Sequence, residues 1–286
     1  MRRQNETGTV MEAIDYMEEH LSEKLYLEQI AEAVHYSKYH LHRMFVREAG
    51  LTVHDYAQRR RLTEAARLLA FSDRPIMEIA LSAGYESRQA FTTIFRQMYK
   101  KTPNQFREER IYYPLQLRFK FNRDDVKSED MSFWKRQITF ATLEDISQWM
   151  SLVYLVIDGF PYLHEAQYLV QLREAIVHHR ALILRDGGTV IGIMTFVEES
   201  GKIDFLGVHP RYRRQGIAGA FLGKLREELV SADLDIMVTT FREGDKADTG
   251  YRNMFKALGF SEAELLVEFG YPTQRFILRK EDRGTD

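Results

Sequence analysis

The stretch GVHPRYRRQGIAGAFL, beginning at Gly207, places Arg213 and Arg214 just ahead of the small residues Gly216, Ala218 and Gly219. It reads as the end of a strand, a basic turn and the start of a helix. A helix start carries unpaired amides and the positive end of the macrodipole, so it attracts anions. Small residues let a ligand approach the backbone closely. The chemistry on offer is phosphate binding, although a glycine-tolerant tight turn with exposed arginines would use the same residues. Two phosphate loops are excluded. No Gly-Lys-Ser/Thr follows, as a Walker A loop requires, and the helix lacks the G-x-G-x-x-G of a dinucleotide fold.

A second set of anion-seeking residues lies in the first hundred positions, within an internal repeat. IAEAVHYSKYHLHRMFVREAGLTVHDY runs from Ile30, and IALSAGYESRQAFTTIFRQMYKKTPNQF runs from Ile79, about 50 residues later, with Glu86 inserted. Each copy predicts a short helix, a tight turn, a serine N-cap (Ser37, Ser87) and a second helix, which is a helix-turn-helix. Leu41, Met44 and Phe45 recur at i, i+3, i+4, as do Phe91, Ile94 and Phe95, so each second helix has one apolar face. The opposite faces present Tyr39, His42, Arg43 and Arg47 in the first copy. In the second they present Arg88, Gln89, Thr92, Thr93 and Arg96. Those side chains suit base edges and phosphates. Between the copies, TVHDYAQRRRLTEAARLLAF predicts one long helix with Tyr56, Leu62, Ala65, Ala66 and Leu69 on its inner side. Such a helix could set the two units about 34 Å apart, one turn of DNA.

The remaining composition frames these two sites. With 286 residues, 44% of them hydrophobic, the chain is long enough for two domains with real cores. It has no cysteine, which excludes a disulfide framework, a thiolate metal site and a cysteine nucleophile. No apolar run approaches the ~20 residues of a spanning helix, and the start lacks the apolar core of a signal peptide. A cytoplasmic protein away from the membrane is expected. The net charge is -2, yet Lys24 to Arg110 contains 15 basic against 10 acidic residues. That local excess is enough for DNA if it lies on one face. No metal site is expected: His40 and His42 point in different directions on a helix, and His178 and His179 end one.

Residues 11–107 resemble the DNA-binding domain of the AraC/XylS family of bacterial transcription regulators. The resemblance rests on LEQIAEAVHYSKYHLHRMFVREAGLTVHDYAQRRRLTEAARLL and PIMEIALSAGYESRQAFTTIFRQMYKKTPNQFRE. Its most specific part is the second copy, with Gly84-Tyr85, FTTIFRQ and the closing TPNQFR. The resemblance implies an all-α, homeodomain-like double helix-turn-helix that binds an operator in double-stranded DNA. RNA polymerase is a partner of that class, with no residue assignable to it. Two departures stand out: His35 occupies the turn position where the second copy has Gly84, and the domain comes first in the chain.

Downstream, Leu115, Leu117, Phe119 and Phe121 alternate with polar residues and predict a short strand, followed by a polar linker, NRDDVKSEDMS. From Gln137 the pattern becomes α/β. Strands are predicted at QITFAT, ALILRD, TVIGIMTFVEE, KIDFLGVH, LDIMVTTF, AELLVEFGY and TQRFILRK. Helices are predicted at LEDISQWMSLVYLV, YLHEAQYLVQLREAIVHH, AGAFLGKLREELVSA and TGYRNMFKALGF. The expected domains are 8–110 for DNA, 111–136 as a linker with a possible strand, and 137–281.

IDFLGVHPRYRRQGIAGAFLGKL resembles the cofactor-binding core of the GNAT acyltransferase superfamily, and Arg213, Gly216 and Ala218 match its Q/R-x-x-G-x-G/A pattern. The resemblance covers about 140 residues and implies an acyl-CoA N-acyltransferase fold with acetyl-CoA as cofactor. Amides of Gln215, Gly216, Ile217, Ala218 and Gly219 would then hold the pyrophosphate. Main chain at Leu206 and Val208 would pair with the pantetheine arm. Direct acyl transfer to an amine needs a base and then an acid for the departing thiolate. Family enzymes often place a tyrosine acid in the helix before Gly-Phe, but here that position holds Phe255. Tyr251, one turn earlier, is the substitute, and Asp204 is a candidate base or an ordinary outward strand residue. His209 either serves at the strand mouth or caps the turn. Trp149, Tyr154, Asp158, Phe160, Tyr162 and Glu165 form an aromatic and acidic set suited to an organic cation, or they are core and edge. The domain is therefore expected to be a sensor of acetyl-CoA or of its amine partner, a working N-acetyltransferase of a small amine or protein lysine, or a fused module whose acyltransferase fold only makes dimer contacts.

Overall fold

A computed structural model describes residues 2–119, 131–156, 165–268 and 270–282. The chain divides into two compact units, one formed by the described residues up to 119 and one by those from 131 onward.

The first unit is helical: α1 (Arg2–Glu19), α2 (Leu27–Ala33), α3 (Lys38–Ala49), α4 (Val53–Phe71), α5 (Ile76–Ser82), α6 (Arg88–Tyr99) and α7 (Pro103–Glu109). Short polar side chains start four of them. Ser37, Thr52, Ser87 and Thr102 accept from the amides of His40, Asp55, Ala90 and Gln105, which satisfies a donor at each helix start. The pairs α2–α3 and α5–α6 are the two helix-turn-helix units. Leu41, Met44, Phe45, Phe91 and Phe95 are buried as expected, and Ile94 is partly buried against the second core. That core is aromatic. Phe95 stacks on Tyr99 at 4.4 Å, and Phe106 meets both edge-on at 5.4 and 4.9 Å. Tyr56, Leu62, Ala65, Ala66 and Leu69 line the buried side of α4.

The two turns share a left-handed residue at the corresponding place, Gly84 at φ 77° and His35 at φ 58°. At Gly84 a side chain would also meet Arg61, whose Cζ lies 3.4 Å from an ideal Cβ. His35 adopts the same conformation without glycine's freedom. His35→Gly is therefore expected to stabilise the domain by about 0.5–1 kcal/mol, visible as a higher urea midpoint.

The strand expected from Leu115 to Phe121 is not formed among the described residues. Residues 111–119 run without regular structure. They lie along α4 instead of pairing in a sheet. Thr63 Oγ1 accepts from the amides of Leu115 and Gln116 at 3.1 Å, and Arg60 Nη1 donates to the Gln116 carbonyl at 3.0 Å. A helix face supplies no ladder of backbone partners, so alternation here marks an extended strap that buries Leu115, Gln116 and Phe119. Residues 120–130 lie outside the described residues.

The second unit opens with a helix absent from the sequence reading, α8 (Met131–Gln137). Then come β1 (Thr139–Phe140), α9 (Ile146–Val156), α10 (Glu165–Val177), β2 (Ala181–Asp186), β3 (Thr189–Val197) and β4 (Lys202–Val208). The chain continues through α11 (Ile217–Lys224), β5 (Ile236–Phe241), α12 (Tyr251–Ala257), β6 (Ser261–Glu268) and β7 (Tyr271–Leu278). Among the described residues one seven-stranded sheet runs β1-β2-β3-β4-β5-β7-β6. All neighbours are antiparallel except β4 and β5. The expected strands and helices are all present, although β1 keeps two residues and α11 ends in a π-helical turn, Leu225–Leu229.

Candidate nucleic-acid interface and cofactor turn

On α3, Tyr39 is 74% exposed, Arg43 and Arg47 are exposed, and His42 is half-buried. Lys38 lies over the Tyr39 ring at 5.5 Å and pairs with Glu28 at 2.7 Å. On α6, Arg88, Gln89, Thr93 and Arg96 are exposed and Thr92 is half-buried. The Thr93 hydroxyl donates to the Gln89 carbonyl at 3.0 Å, which leaves its lone pairs as acceptors. Arg43, Arg88 and Arg96 have no ion-pair partner among the described residues, so their donors face water or a ligand. Arg47 differs: it is paired with Glu6 and Glu48.

The quoted turn is built from both sides. His209 follows β4, and its Nδ1 accepts from the Arg211 amide at 3.2 Å. Burial first, then the charges of Arg211 and Arg213, push the His209 imidazole down to about 3. A neutral ring is what an amide-accepting cap requires, so His209 caps the turn. Pro210–Tyr212 forms one 3-10 turn. Tyr212 is buried, donates to Asp186 Oδ2 at 2.7 Å, and meets His209 and Trp134 edge-on. Arg214 and Gly216 are both left-handed, at φ 65° and 78°. That kink brings the start of α11 round so that its axis opens at exposed Gly216.

Backbone bonding resumes at the Ala220 amide, which donates to the Gly216 carbonyl at 2.9 Å. The amides from Arg214 to Gly219 have no acceptor among the described residues. Six consecutive donors at a helix start fit an anion with several oxygens, as a pyrophosphate has. The side of this first turn is occupied. Met131 of α8 brings its Cβ to 3.2 Å from an ideal Cβ on Gly216 and its Sδ to 2.8 Å from one on Gly219. Met131 and Tyr212 therefore shape the turn, and no local sequence signal marks them.

The neighbouring strand is open along one edge. β4 pairs with β5 only at Lys202↔Met237 and Ile203↔Val238. Beyond Ile203 the parallel register ends, while pairing to β3 continues to Val208. The His209 amide donates to the Ile191 carbonyl of β3. Alternation along an antiparallel strand then turns the main-chain groups of Leu206 and Val208 away from β3, toward the unpaired edge.

The acid–base candidates lie on β4 and α12. Asp204 is skipped in the β3–β4 register, at a bulge, and its Oδ1 lies 3.0 Å from Lys202 Nζ. Tyr251 starts α12, with its hydroxyl 3.5 Å from the Val156 carbonyl. Phe255 is core, packed on Phe260 and Phe276. Trp149 is fully buried and donates to the Tyr168 hydroxyl at 2.9 Å, so it is core as well. Tyr154 keeps a hydrogen bond to Glu165, and burial together with that carboxylate pushes its phenol up to about 12. Asp158, Phe160 and Tyr162 lie outside the described residues. No group of three or more His, Asp or Glu among the described residues is placed to hold a metal. None of the described helices is long and apolar enough to cross a membrane.

The two sites define a DNA-binding regulator domain joined to an acyltransferase-fold domain. The helix-turn-helix domain family matches residues 30–109, and the acetyltransferase (GNAT) family matches residues 143–260. The multiple antibiotic resistance protein MarA of Escherichia coli is 35% identical over 120 residues, 40% of this chain and 94% of MarA. The regulatory protein SoxS of Escherichia coli is 37% identical over 98 residues, 34% of this chain and 92% of SoxS. The HTH-type transcriptional regulator YbfP of Bacillus subtilis is 40% identical over 98 residues, 34% of this chain but only 33% of YbfP. The chain belongs to the AraC-type helix-turn-helix family and carries a GNAT domain behind that module. The GNAT fold implies an acyl-CoA cofactor in general.

Proposed function

We propose that the protein is a transcription regulator that grips a specific operator through α3 and α6 and binds acetyl-CoA at the turn from Arg213 to Gly219. The observation that carries the cofactor reading is the run of unaccepted amides at the start of α11, beside the unpaired edge of β4. In this reading Arg213 and Arg214 add charge at the pyrophosphate, and Leu206 and Val208 offer main-chain partners to the pantetheine amides. Acetyl-CoA, when bound, supplies the activated acyl group. The chain's own residues hold and orient it. The GNAT domain acts as a sensor whose occupancy is read out in DNA affinity.

On the DNA side, Arg43→Ala and Arg96→Ala are each expected to weaken operator binding by ~1–3 kcal/mol, the value of one base or bidentate phosphate contact. Fluorescence anisotropy on an operator selected from a random duplex pool measures this. Affinity should fall steeply with salt. Unchanged binding in both variants would remove these helices from the interface.

A second reading is an N-acetyltransferase of a small amine or protein lysine with an attached DNA-binding module. One observation favours it: the Tyr251 hydroxyl sits on the first turn of α12, where Phe255 has no proton to give. Calorimetric titration of acetyl-CoA, followed by thiol release with a panel of amines, separates the readings. Binding without turnover supports the sensor, turnover lost in Tyr251→Phe supports the enzyme, and no binding rejects both.

A further inference from the structure

The outward arginines of the two recognition helices are not held alike. Arg88 and Arg96 on α6, and Arg43 on α3, have no ion pair among the described residues. Arg47, one turn beyond Arg43, is held from two directions. Its Nη2 donates to a Glu6 carboxylate oxygen on α1, and its Nε donates to Glu48 Oε1 at 3.1 Å. Glu48 lies in the last turn of α3 and is only 8% exposed. Its second oxygen accepts from the Thr7 hydroxyl of α1 at 3.1 Å, and Thr7 is fully buried. Glu6, Arg47, Glu48 and Thr7 thus form a polar tie between α1 and the end of the first recognition helix.

The charge of that tie argues against a phosphate contact. One guanidinium between two carboxylates leaves the group net negative, so the positive charge of Arg47 is already matched before a DNA phosphate approaches. Removing the guanidinium would take from the mostly buried Glu48 its ion pair with Arg47, which is costly for a charge kept from water. The geometry points to Arg47 as a positioning residue. It fastens the last turn of α3 to α1 and so sets how Tyr39 and Arg43 meet DNA, without touching phosphate itself. This inference rests on the DNA-binding reading and gives α1, which lies outside residues 30–109, a role in recognition.

The sign of one substitution decides it. The full chain would be titrated with a duplex enriched from a random pool, across a salt series, in Arg47→Ala, Glu6→Gln and the double variant. A positioning tie predicts that Arg47→Ala and Glu6→Gln each raise Kd about three- to tenfold. The double variant should be no worse than the single ones, and the slope of log K against log salt should stay unchanged. Base discrimination should relax only in the half-site that also loses discrimination in Arg43→Ala. A phosphate contact predicts the opposite: Glu6→Gln frees the guanidinium and tightens binding, and Arg47→Ala makes the slope shallower by about one. That result overturns the inference, as does a lowered urea midpoint with unchanged DNA affinity, which would make the tie merely structural. Failure to enrich any duplex overturns the DNA-binding reading itself and this inference with it.

Discussion

Replacing Gly216 with glutamate is expected to abolish acetyl-CoA binding, with a loss of at least about 100-fold in Kd. Three costs act together. Gly216 sits at φ 78°, where an L-residue is strained by about 1–2 kcal/mol. An added Cβ would lie 3.2 Å from Met131 Cβ, so the new side chain cannot fold back over α8 and is turned toward the open end of α11. There its carboxylate meets the unaccepted amides from Arg214 to Gly219. It would serve those donors itself and repel a pyrophosphate, and like-charge juxtaposition costs several kcal/mol. Each 1.4 kcal/mol is about tenfold, so the sum exceeds two decades. Gly216→Ala isolates the strain and should give a smaller loss. Calorimetric titration is the check. Glutamate tolerated at wild-type affinity would take this turn out of the cofactor site.

Arg60→Ala is expected to destabilise the DNA-binding unit by ~3–5 kcal/mol, the cost of stranding one member of a buried ion pair. Arg60 is 6% exposed. Its Nε and Nη2 donate to the two oxygens of Glu18 at 2.7 and 2.8 Å, and its Nη1 holds the Gln116 carbonyl. The Tyr56 hydroxyl donates to the same Glu18 at 2.8 Å. This hub joins α1, α4 and the strap at 111–119. Without the guanidinium, Glu18 keeps one neutral partner and the strap loses a tie. The loss is comparable to the whole stability of many domains, so urea unfolding should show a sharply lower midpoint or no folded baseline. Arg60→Met with Glu18→Leu should recover part of it, because it removes both charges. A loss below about 1 kcal/mol in Arg60→Ala would show that the pair is solvated like a surface bridge.

Features that depend on near neighbours in the chain are legible in the sequence. The apolar triplets at Leu41 and Phe91, the serine caps and the long helix between them depend on neighbours within a turn or two, so periodicity and cap chemistry expose them. The glycine-rich turn after Val208 is local too, as is the alternation of strands and helices from Gln137. Even the shared left-handed turn at His35 and Gly84 could be foreseen, since it follows from aligning the repeats.

Residues whose role depends on a distant partner are a different matter. Leu115 and Phe119 alternate like a strand, but a strand exists only when another backbone pairs with it, and here α4 is the neighbour. Met131 sits in a stretch that reads as polar linker, yet it fills the flank of a helix that begins 86 positions later, at Ile217. Arg47 is the clearest case. Sequence alone determined that it lies on the outward face of a recognition helix, because a 3.6-residue period fixes direction. Only the tertiary structure decided which charge it meets, because Glu6 is 41 positions away in the chain and comes within reach of Arg47 only when α1 folds against α3.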